Sequence, residues 1–197
     1  MENARVENGT LIIEARADGY QHRKYSSARL ITRNKTSWTY VKIDVKVKLP
    51  TGRGVWPAIW LMPTDWVYGW WPQSGGIDIL EYVGFDPDTA CFSIHTGKNH
   101  GSKAIGSYTE LEAPSEQYHI YSLEWDSGQL TILVDGFPYL TYQKTNRHTS
   151  SEWPFDQKFH LIMNIAVGGK WGGIFGIDPA IFPQQMVVDY VRMYQKR

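Results

Sequence analysis

The chain has 197 residues, with 20 lysines and arginines balanced by 20 aspartates and glutamates and a single cysteine, Cys91. That length suits one domain, residues 1–197, with a core that needs no covalent staple. Zero net charge argues against a nucleic-acid partner or a membrane surface, one cysteine excludes an internal disulfide or a cysteine zinc site, and no apolar run nears the ~20 residues of a membrane span.

In chain order, hydrophobicity repeats every two residues rather than every 3.6. Leu11–Ala15 and Ser27–Thr32 read as strands. Tyr40–Lys48 alternates apolar and charged residues, which predicts one buried face and one wet face. Further strands are expected at Ala58–Met62, Ile77–Val83, Ala90–His95, His119–Glu124, Leu130–Val134, Tyr139–Tyr142, His160–Val167 and Met186–Tyr194. Asp126-Ser127-Gly128 and Asp135-Gly136 separate such runs and read as hairpin turns. No capped, helix-period segment longer than about ten residues interrupts them. The expected fold is all-β, with two packed antiparallel sheets.

Aromatic residues make up 14% of the chain, nine of them tryptophans. A core can absorb some. Tryptophan and tyrosine are also flat amphipathic platforms on which the C–H faces of sugars stack, so this surplus points to a neutral polysaccharide partner.

The stretch Trp71-Pro72-Gln73-Ser74-Gly75-Gly76-Ile77-Asp78-Ile79-Leu80-Glu81-Tyr82 carries the chemistry. Strict alternation along this strand places Gly76 and Asp78 on one face but sends Glu81 into the core, where an unpaired carboxylate is costly. A one-residue bulge near Ile79 and Leu80 returns Glu81 to the polar face and keeps the apolar side chains inward. On their own, Asp78 and Glu81 read first as two solvated carboxylates on a surface strand.

Other segments join this one. Arg53-Gly54-Val55-Trp56-Pro57-Ala58-Ile59-Trp60 lies upstream, and Phe92-Ser93-Ile94-His95 and Asn164-Ile165-Ala166-Val167-Gly168-Gly169-Lys170-Trp171 lie downstream. In that order and at that spacing, from Asn3 to Tyr194, they resemble glycoside hydrolase family 16, and within it the laminarinase-type endo-β-1,3-glucanases. The resemblance implies a β-jelly-roll sandwich with a concave glycan-binding cleft and retaining hydrolysis of internal β-1,3 bonds. It implies a secreted enzyme that needs no cofactor. The family motif Glu-x-Asp-x-x-Glu supplies a nucleophile, its helper and the acid/base. Asp78 and Glu81 match the last two, and the extra residue before Glu81 separates this type from the bacterial lichenases. The nucleophile position holds Gly76, which has no side chain to attack with.

The resemblance also assigns Trp56, Trp60, Trp171 and Asn164 to the cleft and places His95 near the acid/base, where it would tune protonation. For the tryptophans, core packing is the competing reading, and the roles of Trp70 and Trp71 stay open. A structural Ca²⁺ on the convex face would draw on Gly9 and Asp189. The histidines show no metal-ligand spacing, and the glycines around Trp171 do not form a phosphate cradle. No apolar leader follows Met1. Relatives carry an N-terminal segment before Asn3, whose absence would expose a sheet edge and permit a dimer in place of the expected monomer. Two functions follow. One is an endo-β-1,3-glucanase scaffold for β-1,3-glucan or mixed-linkage β-1,3-1,4-glucan, without its nucleophile (a glycosynthase or substrate-trapping form). The other is a non-catalytic, lectin-like β-glucan-binding protein. Zero net charge disfavours sulfated polymers.

Overall fold

A computed structural model of the chain describes residues 3–195. Two antiparallel sheets face each other. The outer sheet contains β1 (Ala4–Glu7), β2 (Thr10–Ala15), β4 (Val41–Lys48), β9 (His119–Trp125), β10 (Gln129–Val134), β11 (Phe137–Gln143) and β13 (Gln184–Tyr194). Their order across the sheet is β1-β2-β13-β4-β9-β10-β11. The inner sheet contains β3 (Arg29–Ile31), β5 (Val55–Pro63), β6 (Gly76–Tyr82), β7 (Thr89–His95), β8 (Ile105–Glu110) and β12 (Phe159–Val167), in the order β3-β12-β5-β6-β7-β8. The expected all-β jelly-roll sandwich is the observed fold. Helical structure among the described residues is confined to short 3-10 turns at Tyr20–His22, Gly101–Lys103 and Pro179–Ile181.

Period two explains the layers. On β4, Val41, Ile43, Val45 and Val47 are buried, while the intervening lysines and Asp44 face outward. They meet Ile59 and Leu61 of β5, Ile77 and Ile79 of β6, and Phe92 and Ile94 of β7 across the sandwich. Each such side chain stabilises the fold by ~1.5–3 kcal/mol when fully buried. Trp125, Trp153, Phe155 and Phe159 form a buried aromatic cluster at one end, so the core absorbs part of the aromatic surplus.

Asp135 and Gly136 both adopt positive φ, at 51° and 84°, as a two-residue hairpin between β10 and β11 requires. Asp126 Oδ1 accepts the N–H groups of Gly128 and Gln129 and closes the β9–β10 turn. Two strands escaped the sequence pattern. β1 has only four residues and leaves Val6 three-quarters exposed, and β8 carries Gly106 and Ser107 on the far edge of the inner sheet. Edge strands bury little and therefore alternate weakly.

The bulge on β6 is present. Trp60 pairs with Asp78 and Ile59 with Leu80, which leaves Ile79 without a partner on β5. The β6–β7 register slips between Asp78 and Glu81 as well. Ile77, Ile79, Leu80 and Tyr82 are all fully buried, and Glu81 emerges on the concave face with Asp78.

Just past β6 the chain closes on the loop before β5. The Gly84 N–H donates to the Val55 carbonyl at 2.9 Å, and a Cβ at Gly84 would stand 2.0 Å from the Gly52 carbonyl oxygen. Backbone cannot yield as a flexible side chain can. Gly84→Ala is expected to destabilise the fold by about 3 kcal/mol, read from the midpoint of denaturant unfolding; an unchanged midpoint would show that the two loops are not held together as described.

Candidate active site

The inner sheet's concave face forms a cleft of about 630 Å³. Register places Arg29, Asn164, Ala58, Glu81, Cys91 and Tyr108 in one row across all six strands. A second row carries Ile162, Trp60, Asp78 and Ser93. Gly76 and His95 pair at the end of β6 where the chain enters from the Trp71 loop. Sequence-distant residues thus converge because pleated strands present alternate side chains to the same side.

The carboxylates are held differently. Asp78 is buried, at 7% exposure, and its Oδ2 lies 2.8 Å from His95 Nε2. The Gly101 N–H donates to His95 Nδ1 at 3.3 Å. A backbone N–H can only donate, so Nδ1 is the acceptor, and Nε2 carries the hydrogen that His95 donates to Asp78. Burial opposes charging of His95, but the hydrogen bond and charge of Asp78, with the charge of Glu81, outweigh it and raise its pKa.

Glu81 is partly buried, and its pKa is pushed up to about 7, first by burial and then by the like charge of Asp78. His95 and the Trp56 indole N–H pull the other way. That indole nitrogen is buried without a formed hydrogen bond and is turned toward Glu81. A carboxyl group poised near neutrality in a cleft can give or take a proton at ordinary pH. Cys91, beside Glu81 on β7, is pushed up to about 11, chiefly by burial, and stays a thiol.

Aromatic walls enclose these groups. Trp60 donates from Nε1 to Asn164 Oδ1 at 2.9 Å, and the Arg29 guanidinium lies 4.6 Å over the Trp60 ring. Trp56 and Trp60 both line the cleft, as do His95 and Asn164. Trp171 lies outside the cavity lining; it packs edge-on against Trp56, with ring centroids 5.6 Å apart, and so supports the wall. Trp71, whose role the sequence left open, lines the cleft beside Gly76 and packs edge-on against His95 and His100. Arg29 and Met62 also line it. Arg29 is a charged residue in a short predicted strand, a pattern that by itself is indistinguishable from a solvated edge.

Gly76 faces this space. Its φ lies outside the left-handed region, and a Cβ there would meet nothing closer than 3.7 Å, from Met62 Sδ and the Trp71 indole nitrogen. Neither the backbone nor the packing demands glycine here.

The calcium expectation does not fit the residues present. Gly9 sits at positive φ in the β1–β2 turn, and Asp189 lies on β13 of the outer sheet, where its carboxylate is paired with Lys46 Nζ at 2.8 Å. The Lys46 ammonium is thus the partner that this carboxylate has. Among the described residues, no group of three or more His, Cys, Asp or Glu side chains could hold a metal ion.

Residues 2–192 match the family described as glycosyl hydrolases family 16. The chain belongs to glycoside hydrolase family 16. A β-glucanase of Rhodothermus marinus is 49% identical over 205 residues, which span 99% of this chain and 71% of that protein. The crystal structure of the laminarinase from Rhodothermus marinus superposes with a TM-score of 0.96 at 46% identity, over 98% of this chain and 80% of that one. A mutant of SCLam, a non-specific endo-β-1,3(4)-glucanase co-crystallised with 1,3-β-D-cellotriosyl-glucose, superposes with a TM-score of 0.94 at 43% identity, over 99% of this chain and 78% of that one. Family 16 membership makes the cleft that of a glycoside hydrolase.

The raised Glu81 pKa has a consequence for stability. From 4.5 to about 7, the folded chain keeps a proton that the unfolded chain releases, so this group's contribution to stability falls as pH rises through that window. Glu81→Gln is therefore expected to be close to neutral at pH 4 and to stabilise the fold by about 1–3 kcal/mol at pH 8. Equal unfolding midpoints for the two proteins at pH 8 would show that the carboxylate is not held at a cost.

Proposed function

We propose that the chain is an endo-β-1,3-glucanase-type domain for β-1,3-glucan or mixed-linkage β-1,3-1,4-glucan, with Gly76 at the nucleophile position of a retaining mechanism. It binds the glucan without cutting it. The polymeric substrate places its work outside the cell. The single observation that carries the reading is Gly76 itself, a residue that faces the cleft beside a poised carboxyl group, in a conformation and space open to a side chain.

Retaining hydrolysis uses two carboxyl groups ~5–5.5 Å apart, one attacking the anomeric carbon and the other protonating the leaving oxygen. Glu81 suits the second task, because near pH 7 it is divided between acid and base forms. Asp78 is committed to His95 and keeps that imidazole oriented, with its charge holding the Glu81 proton on. With glycine at position 76, no glycosyl-enzyme bond can form, and hydrolysis stops before its first covalent step.

The same geometry supports the reverse task. An α-glycosyl fluoride carries its leaving group on the face where a nucleophile would stand. Ionised Glu81 takes the proton from an acceptor sugar hydroxyl, the new C–O bond forms at the anomeric carbon, and the C–F bond breaks. Fluoride then leaves into the space above Gly76. A non-catalytic glucan-binding protein would use the same cleft but would transfer no proton through Glu81.

Reducing-sugar release from laminarin is expected to be at least about a thousandfold faster for Gly76→Glu than for the original chain. Coupling of an α-laminaribiosyl fluoride by the original chain should rise as pH rises through about 7, because the base form of Glu81 is needed. Hydrolysis by Gly76→Glu should fall with rising pH at or above the same point, because it needs the acid form and the added carboxylate raises the Glu81 pKa further. Silence of both proteins on laminarin and on mixed-linkage glucan would sink the substrate reading.

A further inference from the structure

The tryptophan-rich loop between β5 and β6 does more than wall the cleft. Trp70 is 77% exposed, the most exposed tryptophan among the described residues, and Val67 beside it is 60% exposed. Trp66 lies half-buried against Trp70, with ring centroids 5.3 Å apart and planes tilted by 41°. Neither ring lines the cavity. We propose that Trp66 and Trp70 form a second carbohydrate platform on the rim of the cleft, which holds the part of a β-glucan chain that extends beyond the enclosed subsites. This rests on the substrate class proposed above.

The platform is held in place. The Tyr68 hydroxyl donates to Asp156 at 2.7 Å, and the Tyr68 N–H donates to Ser74 Oγ at 3.0 Å. Ser74 Oγ in turn donates to the Gly69 carbonyl at 2.6 Å. The Val67 N–H donates to Gln157 Oε1 at 3.0 Å, and the Gly69 N–H donates to the Trp66 carbonyl at 3.0 Å. Ser74 and Gln157 are buried, so their bonds to the loop are shielded from water, while the Tyr68–Asp156 bond lies at the surface. The exposed indole therefore stands on a braced loop, and little further ordering is required when a ligand arrives.

The ligand chemistry follows from the surface. Trp70 is exposed while its ring packs against Trp66, so two paired indoles present an apolar face at the surface. Flat indoles suit the C–H faces of pyranose rings and do not ask for charge. Continuity with the cleft selects the occupant. Trp71 follows Trp70 directly, lines the cleft, and has its indole nitrogen 3.7 Å from where a Cβ on Gly76 would stand. A polysaccharide leaving the cleft past Trp71 meets Trp70 next, whereas a short oligosaccharide ends before it.

The test uses the original chain and Trp70→Ala, with Phe137→Ala as a control. Phe137 is 68% exposed on β11 of the other sheet, so its loss removes apolar surface without touching the rim. Laminaritetraose binding is measured by calorimetry, and retention is measured on insoluble linear β-1,3-glucan. The expected result is unchanged tetrasaccharide affinity in all three proteins, and a fall in polymer retention of about tenfold for Trp70→Ala alone. Equal polymer retention for Trp70→Ala and the original chain, or an equal fall in Phe137→Ala, overturns the platform and leaves the cleft reading standing. Polymer retention that depends on Trp70 without tetrasaccharide binding supports the platform and overturns the cleft reading. An original chain that is dimeric on a sizing column, with Trp70→Ala monomeric, overturns the platform by making the patch a protein interface.

Discussion

One inserted residue in β6 organises the site. Without the bulge at Ile79, Asp78 and Glu81 would point to opposite faces of the sheet. One carboxylate would then enter a core built from Ile77, Tyr82, Phe92 and Ile94. With it, four apolar side chains remain fully buried and both carboxylates share the concave face. The neighbours of β6 follow its register. Trp60 faces Asp78 from β5, and Cys91 faces Glu81 from β7. The row that runs from Arg29 to Tyr108 inherits its alignment from the same slip.

Bringing two carboxylates together in a partly dry cleft has an electrostatic consequence. Burial and the charge of Asp78 raise the pKa of Glu81, and the structure satisfies the two groups unequally. Asp78 receives a hydrogen bond from His95, whose tautomer is set by the Gly101 N–H, whereas Glu81 meets only an indole N–H that is not in bonding geometry. Glu81, the less satisfied of the two, is the group whose pKa is pushed up to about 7. A carboxyl group raised toward neutrality by burial and a neighbouring charge is suited to proton transfer. The rise is already present with glycine at position 76, because the raised pKa of Glu81 arises from burial and Asp78.

The tryptophans show how one residue type divides among tasks. Trp125 and Trp153 serve the core, Trp56, Trp60 and Trp71 line the cleft, and Trp66 and Trp70 pair on its rim. Composition announces an aromatic surplus but cannot say which member does what. Trp171 illustrates the limit. The family resemblance assigned it to the cleft; in the fold, Gly172 lets the loop close on Trp56, where a Cβ would come within 2.8 Å, and Trp171 packs edge-on against that cleft-lining ring. Asp189 illustrates it too, since a carboxylate that the family resemblance assigned to a metal pairs with Lys46 across the β4–β13 pair.

The sequence alone determined the all-β architecture, because period-two alternation in segments such as Val41–Lys48 leaves a strand only one way to hide its valines. It also determined the bulge, because the high cost of burying Glu81 excludes the regular strand. It left β1 and β8 unread, since edge strands with little to bury carry little pattern. Only the tertiary structure decided which residues meet. The Gly101 contact that sets the His95 tautomer, the burial that lifts Glu81 and the ion pair that occupies Asp189 join segments distant in the chain. Proton affinity and ligand geometry depend on distances through space, and those distances exist only once the two sheets have closed.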